Sequence, residues 1–428
     1  MADWEQIADG TLGEQYFRTA IAGGPVVYVV PRPGYAENYA TFATRYGSID
    51  NSFVVSGRQV CVPDGIAHFL EHQMFAQEDG DAFERFSALG VSANAFTSYS
   101  ATTYLFQGTD NFEPAFTHLL DFVQEPHFTD AGTDKERGII QQEIRMYEDS
   151  AGWRLQQRLG ACLYARHPFA IPIAGTVESV GKITTDDLRL CYQTFYQPGN
   201  MVITAVGDLD PDRVLAMVAE SLERHPHPPF VPAERILPDE GPSVASAFAE
   251  ERMPIARPML AVGFKERDVP VSGRRLLERD IRTTIALEAI FGRSGALYQE
   301  LYERGLIDGG FGAGYYGEAT FGCSRVGGET DDPEALREAI IAAVRRARSD
   351  GIPSEAVERQ RRAIFGHFVR LFNAPEGLGH ALGELHFAGV DLFAYLDVLQ
   401  TTRPRDIDER ARRHLDPDYA AIVIIRPS

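Results

Sequence analysis

The chain has 428 residues, 44% of them hydrophobic, and its 61 acidic against 41 basic side chains leave a formal net charge of −20. That length exceeds what one hydrophobic core supports and implies two or three folding units. The acidic balance argues against binding a phosphate backbone, which needs clustered Lys and Arg, and no apolar run is long enough to span a bilayer, so neither nucleic acid nor membrane is an expected partner. The start Met1-Ala2-Asp3-Trp4-Glu5-Gln6 is acidic where a secretory signal is basic and then apolar, which predicts a cytoplasmic protein. Cys61, Cys162, Cys191 and Cys323 are scattered without C-x-x-C spacing, so free thiols are expected rather than a cysteine metal site or a disulfide framework.

Along the chain, residues 26–30 and 39–46 read as strands. The next informative stretch is His68-Phe69-Leu70-Glu71-His72. On a helix, the four-residue step puts both imidazoles on one face, a two-point grip on zinc. Glu71 points to the same side without being needed as a ligand, so it is free to take a proton from water; the order H-x-x-E-H is the inverse of the commoner zincin pattern. Asn94-Ala95-Phe96-Thr97 opens a β-prone run that continues through Thr103, Tyr104 and Phe106.

A catalytic zinc site needs a third protein ligand, and a downstream acid is expected. Residues 134–149 supply candidates: Glu136 and Glu143 lie seven apart, two helical turns, on one stripe with Ile140 and Tyr147, whereas Glu148 and Asp149 lie off it. Further on, Asp210 and Pro211 begin a helix carrying Val214, Met217, Val218 and Leu222. The run from His225 to Pro242, with six prolines, reads as an extended linker. After it the same succession of elements recurs: Asp331-Asp332-Pro333 leads into a helix carrying Leu336, Ile340, Ile341 and Val344. In this repeat the His68/His72 helix corresponds to the one around 285–291, without histidines, and Phe365 stands where the first copy has Glu143. His380 and His386, six apart, do not share a helix face and read as structural.

His68-Phe69-Leu70-Glu71-His72, Asn94-Ala95-Phe96-Thr97 and the Glu136/Glu143 helix, followed by His167-Pro168, Pro172-Ile173-Ala174-Gly175-Thr176, Phe195-Tyr196-Gln197-Pro198-Gly199-Asn200 and Gly207-Asp208, together resemble the pitrilysin family of zinc peptidases, which includes insulin-degrading enzyme and mitochondrial processing peptidase. Tyr46-Gly47-Ser48-Ile49-Asp50 and the stretch from Leu301 to Asp308 are similar to its single-length bacterial type, which pairs with a second subunit. The resemblance implies one zinc per chain held by His68, His72 and Glu143, with Glu71 as general base and Glu136 as an acid supporting the ligands. It implies that residues 94–97 form an open sheet edge to which an extended peptide adds by main-chain hydrogen bonds.

The expected fold is α+β: two related half-domains, each a mostly antiparallel sheet with helices over one face, forming a clamshell. Residues 1–224 would be the catalytic half, 225–244 the linker and 245–428 the half without metal. One departure matters. Where competent relatives carry a substrate-holding arginine and tyrosine, this chain has Tyr302 and Asp308. Donors of that kind are often worth about 3 kcal/mol each in the transition state. The expected protein is therefore a zinc endopeptidase completed by a related partner that supplies the pair, with a homodimer as another assembly and a non-proteolytic structural subunit as the alternative function.

Overall fold

The computed structural model describes residues 4–78 and 80–428, so the acidic start at residues 1–3 lies outside the described residues. The chain forms two compact units. The first comprises Met1–Arg145, Pro172–Leu237 and Val369–Phe387; the second comprises Met146–Ile171, Pro238–Phe368 and Ala388–Ser428. A single cut at 225–244 therefore does not describe them, because each half of the sequence gives one segment to the unit built mainly by the other.

The sheet of the first unit has seven strands, in the spatial order Glu5–Asp9, Glu14–Ala20, Val26–Pro31, Met201–Gly207, Asn38–Thr44, Thr102–Gly108, Ser92–Thr97. Among the described residues of this sheet, only Val26–Pro31 and Met201–Gly207 run parallel. The two central strands, Asn38–Thr44 and Met201–Gly207, are buried at every residue, as strands covered on both faces must be. Alternation sorts their side chains. Ala40, Phe42, Ile203 and Ala205 join Tyr104 and Phe106 in the main core, against Phe69, Leu70, Phe116 and Leu119 from the helices; each buried aromatic or leucine there contributes about 1.5–3 kcal/mol.

Tyr39 and Thr204 point the other way and meet the helix Pro375–Ala388. A Cβ on Gly379 would lie 2.6 Å from the Tyr39 ring, so only glycine allows this approach. The Thr204 hydroxyl donates to the Gly379 carbonyl at 3.2 Å, and His386 Nδ1 lies 3.2 Å from the Tyr28 hydroxyl.

In the second unit the order is Phe248–Met253, Ala420–Pro427, Met259–Lys265, Gly322–Glu329, Gly312–Gly317, with the first pair parallel and the rest antiparallel. This repeats five strands of the first sheet in order and sense. Each series ends in a hairpin joined by residues 98–101 in one case and 318–321 in the other. Here the helix Ala151–Leu163 lies on the sheet, with Leu159 packed where a Cβ on Gly263 would come within 2.8 Å of it.

The buried residues set the register of the repeat. Val357, the partly buried Ile364, and Phe368 on the helix Ser354–Leu371 match Thr133, Ile140 and Ile144 on Asp130–Glu148. That register places His367, not Phe365, opposite Glu143, and Gln360 opposite Glu136. Glu288 echoes Glu71, while Ile285 and Ala289 stand where the first copy has its histidines.

Candidate metal centre

The helix Ile66–Met74 starts after Gly65, which has φ 89° and whose Cβ would lie 2.4 Å from the Ala174 carbonyl oxygen; both facts require glycine. Phe69, Leu70 and Met74 anchor the helix in the core, and the spacing of four brings the rings of His68 and His72 to a centroid distance of 4.6 Å. Facing them, the helix Asp130–Glu148 buries Thr133, Ile140 and Ile144 and presents Glu136 and Glu143.

Glu143 Oε1 lies 3.8 Å from His68 Nε2, and its Oε2 lies 3.4 Å from His72 Nε2. One ligand atom from each of the three residues falls within 4.8 Å of the others, and no other group of three His, Cys, Asp or Glu side chains does so among the described residues. Donors about 3.3 Å apart are what a tetrahedral ion with ligand distances of about 2.0–2.1 Å requires, so this nitrogen and oxygen set fits zinc. His72 Nδ1 lies 2.8 Å from Glu136 Oε1. A ring that donates from Nδ1 to a carboxylate keeps its lone pair on Nε2, the atom turned toward Glu143.

Electrostatics follow from burial. Burial and the adjacent His72 push His68 down to about 4, against the pull of Glu143 and Glu136, so its imidazole is neutral at pH 7. Burial pulls His72 down too, but the Glu136 hydrogen bond and the charges of Glu71 and Glu143 outweigh it and leave its pKa raised. Glu71 is buried, which raises its pKa against the opposing hydrogen bond from Thr97 and the proximity of His72. The Thr97 hydroxyl donates to Glu71 Oε2 at 2.6 Å.

Asn94, Ala95, Phe96 and Thr97 lie on the edge strand Ser92–Thr97, which among the described residues pairs only with Thr102–Gly108. Ala95 packs toward the core, whereas Phe96 sits 5.2 Å, ring to ring, from His380. Asn94 Oδ1 accepts from the Ala95 amide at 2.9 Å. Thr97, expected from the sequence to belong to the substrate strand, also turns its side chain to Glu71, a contact between residues 26 apart that no local pattern marks. In the second unit, Tyr302 is 58% exposed and Asp308 accepts from Arg257 at 2.9 Å and from the Gly310 amide at 2.8 Å.

Residues 63–177 match the family model described as Insulinase (Peptidase family M16), and residues 182–364 match Peptidase M16 inactive domain. The chain is 39% identical over 418 residues to the "Uncharacterized zinc protease YmfH" of Bacillus subtilis, with 97% of each sequence covered. This chain belongs to the M16 family. A crystal structure of a putative M16-like peptidase from Alicyclobacillus acidocaldarius superimposes on this M16 chain with a TM-score of 0.94 at 38% identity, covering 100% of this chain and 99% of that one. Pitrilysin shares the fold at 19% identity and a TM-score of 0.76, with 47% of its longer chain covered. Like its relatives named zinc proteases, this M16 chain carries residues suited to a metal; no helix among its described residues is long and apolar enough to cross a membrane.

Proposed function

We propose that this M16 chain is a zinc-dependent endopeptidase acting on peptides or unfolded segments, and that it reaches full activity with a related partner subunit. The observation that carries the reading is the convergence of His68, His72 and Glu143 on one point, with Glu71 on the same helix and uncommitted to that point. The two histidines and Glu143 would hold one zinc ion, and Glu136 would keep the His72 ring in place. When bound, zinc supplies Lewis acidity toward water and a peptide carbonyl. Glu71 takes the proton of the attacking water and delivers it to the leaving amine; burial, by raising its basicity, suits it to both transfers. The edge strand Ser92–Thr97 would take an extended peptide by backbone pairing, which favours unfolded substrates over a particular side chain.

The metal chemistry belongs to residues 1–224, while 245–428 carry the repeat without ligands. Exposed Tyr302 and the ion-paired Asp308 support a partner that brings the arginine and tyrosine, in a heterodimer or, failing that, a homodimer. The reading includes a cytoplasmic location, with which the four free cysteines agree, and cell fractionation tests it.

The deciding experiment is hydrolysis of an unstructured, fluorescence-quenched peptide by the zinc-loaded chain, alone and with a related subunit that carries the arginine and tyrosine, alongside Glu71→Gln. The expected result is weak cleavage alone, strong cleavage with the partner and none with Glu71→Gln. A folded, metal-free chain whose behaviour is indifferent to Glu71→Gln would belong instead with non-proteolytic structural subunits.

A further inference from the structure

We propose that Thr97 is the positioning residue for Glu71, and that the loop Gly47 to Asp50 acts as the bracket that holds Thr97; the inference rests on the peptidase reading above. Thr97 ends the edge strand, and its hydroxyl lies 2.6 Å from Glu71 Oε2. A threonine hydroxyl has one proton to donate. The neighbouring Thr102 hydroxyl donates its own proton to the Tyr46 carbonyl at 2.9 Å and so could only accept from Thr97; at 3.4 Å it is a far weaker acceptor than Glu71, which takes the Thr97 proton. One carboxylate oxygen is thereby engaged, rotation of the group is restrained, and Oε1 is left as the oxygen that exchanges a proton with substrate and water.

Thr97 is itself fixed through the turn that follows it. The Ser48 amide donates to the Ser98 carbonyl at 3.1 Å and the Ile49 amide to the Tyr99 carbonyl at 3.0 Å. Gly47 lies so close that a Cβ would come within 2.4 Å of the Tyr99 carbonyl group and the Ser100 nitrogen. Asp50 closes the loop, accepting from the Gly47 amide at 2.9 Å and pairing with Arg235. The backbone that would align a peptide by strand addition is thus the backbone that orients the general base. Substrate and base share one rigid reference, and catalytic groups need placement of this kind to reach a productive geometry.

The test compares wild type, Thr97→Val, Thr97→Ser and Glu71→Gln in the form that cleaves peptide, with the partner subunit if cleavage requires it. Valine keeps the shape and removes the hydroxyl; serine keeps the hydroxyl. Thr97→Val is expected to lower kcat by about 10- to 100-fold, the range typical of residues that support a site indirectly, with KM and bound zinc unchanged. Thr97→Ser is expected to restore most of the rate. Wild-type kcat in Thr97→Val, or equal losses in the valine and serine variants, overturns the proposal.

Crystal structures give a readout independent of cleavage. Glu71 is expected in one position in wild type and Thr97→Ser and in more than one in Thr97→Val. An unchanged single Glu71 position in Thr97→Val overturns the inference whether or not peptide is cut. Wild type without Glu71-dependent cleavage is instead a failure of the peptidase reading, and the crystallographic comparison still decides the role of Thr97.

Discussion

Glu136 Oε1 lies 2.8 Å from His72 Nδ1, and Glu143, two turns along the same helix, approaches the other nitrogen of that ring at 3.4 Å. One helix therefore brings a carboxylate to each nitrogen of the imidazole, and in the proposed metal site Glu136 would orient the ring while Glu143 would add a ligand beside it. Replacing Glu136 with Ala frees the ring without removing a ligand. Zinc affinity is expected to fall about 10- to 100-fold, read by competition with a chromophoric chelator, with the helical circular dichroism unchanged. Wild-type affinity would mean the contact is incidental.

The three proposed ligands and the proposed base should separate cleanly by metal content. His68→Ala and Glu143→Gln are expected to purify with far less than one zinc per chain, whereas Glu71→Gln keeps its zinc. Because an ion that binds only the folded chain stabilises it, by about 2.7 kcal/mol at a hundredfold excess over Kd, chelation should lower the Tm of wild type and Glu71→Gln but not of Glu143→Gln. Elemental analysis and thermal scans check both statements.

Acid should destabilise the second unit through its buried network. His414 is buried, with its Nε2 2.6 Å from the Ser324 hydroxyl, and burial with the nearby Arg410 pushes its pKa from 6.5 down to about 3. Below pH 6.5 the unfolded imidazole takes a proton that the folded one refuses until about pH 3, so stability falls across that window. Burial alone would raise Glu266, but His414, the Arg410 guanidinium and the Asp268 amide hold its carboxyl well below the usual range. Its contribution is present above about pH 4.5 and is lost as the pH falls toward the folded value. Urea midpoints should therefore decline from pH 7 to pH 4, less steeply in His414→Gln. A flat profile would contradict the assignment.

Gly263→Ala tests the packing of the helix Ala151–Leu163 on the second sheet. The new Cβ would meet Leu159 at 2.8 Å, and overpacking of this kind costs about 1–3 kcal/mol. Denaturant unfolding should show the loss, and pairing the change with Leu159→Ala should relieve part of it. Independent, additive effects would mean the two residues do not share the contact.

The metal grip was legible because it is local. His68, Glu71 and His72 are spaced by the helical period, as are Glu136 and Glu143, so one helix presents each set whatever else the chain does. The repeat was legible in outline, since hydrophobic spacing and the Asp-Pro helix starts recur, but its register was not. Whether Phe365 or His367 stands opposite Glu143 depends on which side of the helix is buried, and that is a property of its neighbours.

By itself, the sequence determined the helical spacing of His68, Glu71 and His72 and of Glu136 and Glu143, the β-prone strand between them and the presence of Tyr302 and Asp308 in the second half. Only the tertiary structure decided that Ala151–Leu163 and Pro375–Ala388 each cover the sheet built mainly by the other half, through Leu159 on Gly263 and Gly379 on Tyr39, and that the Thr97 hydroxyl meets Glu71. The physical reason is range. Helical and strand periodicity act within a few residues and leave a pattern in the chain, whereas a glycine that admits a distant ring, or a hydroxyl that turns to a carboxylate 26 positions away, acquires its meaning only when folding brings the two together.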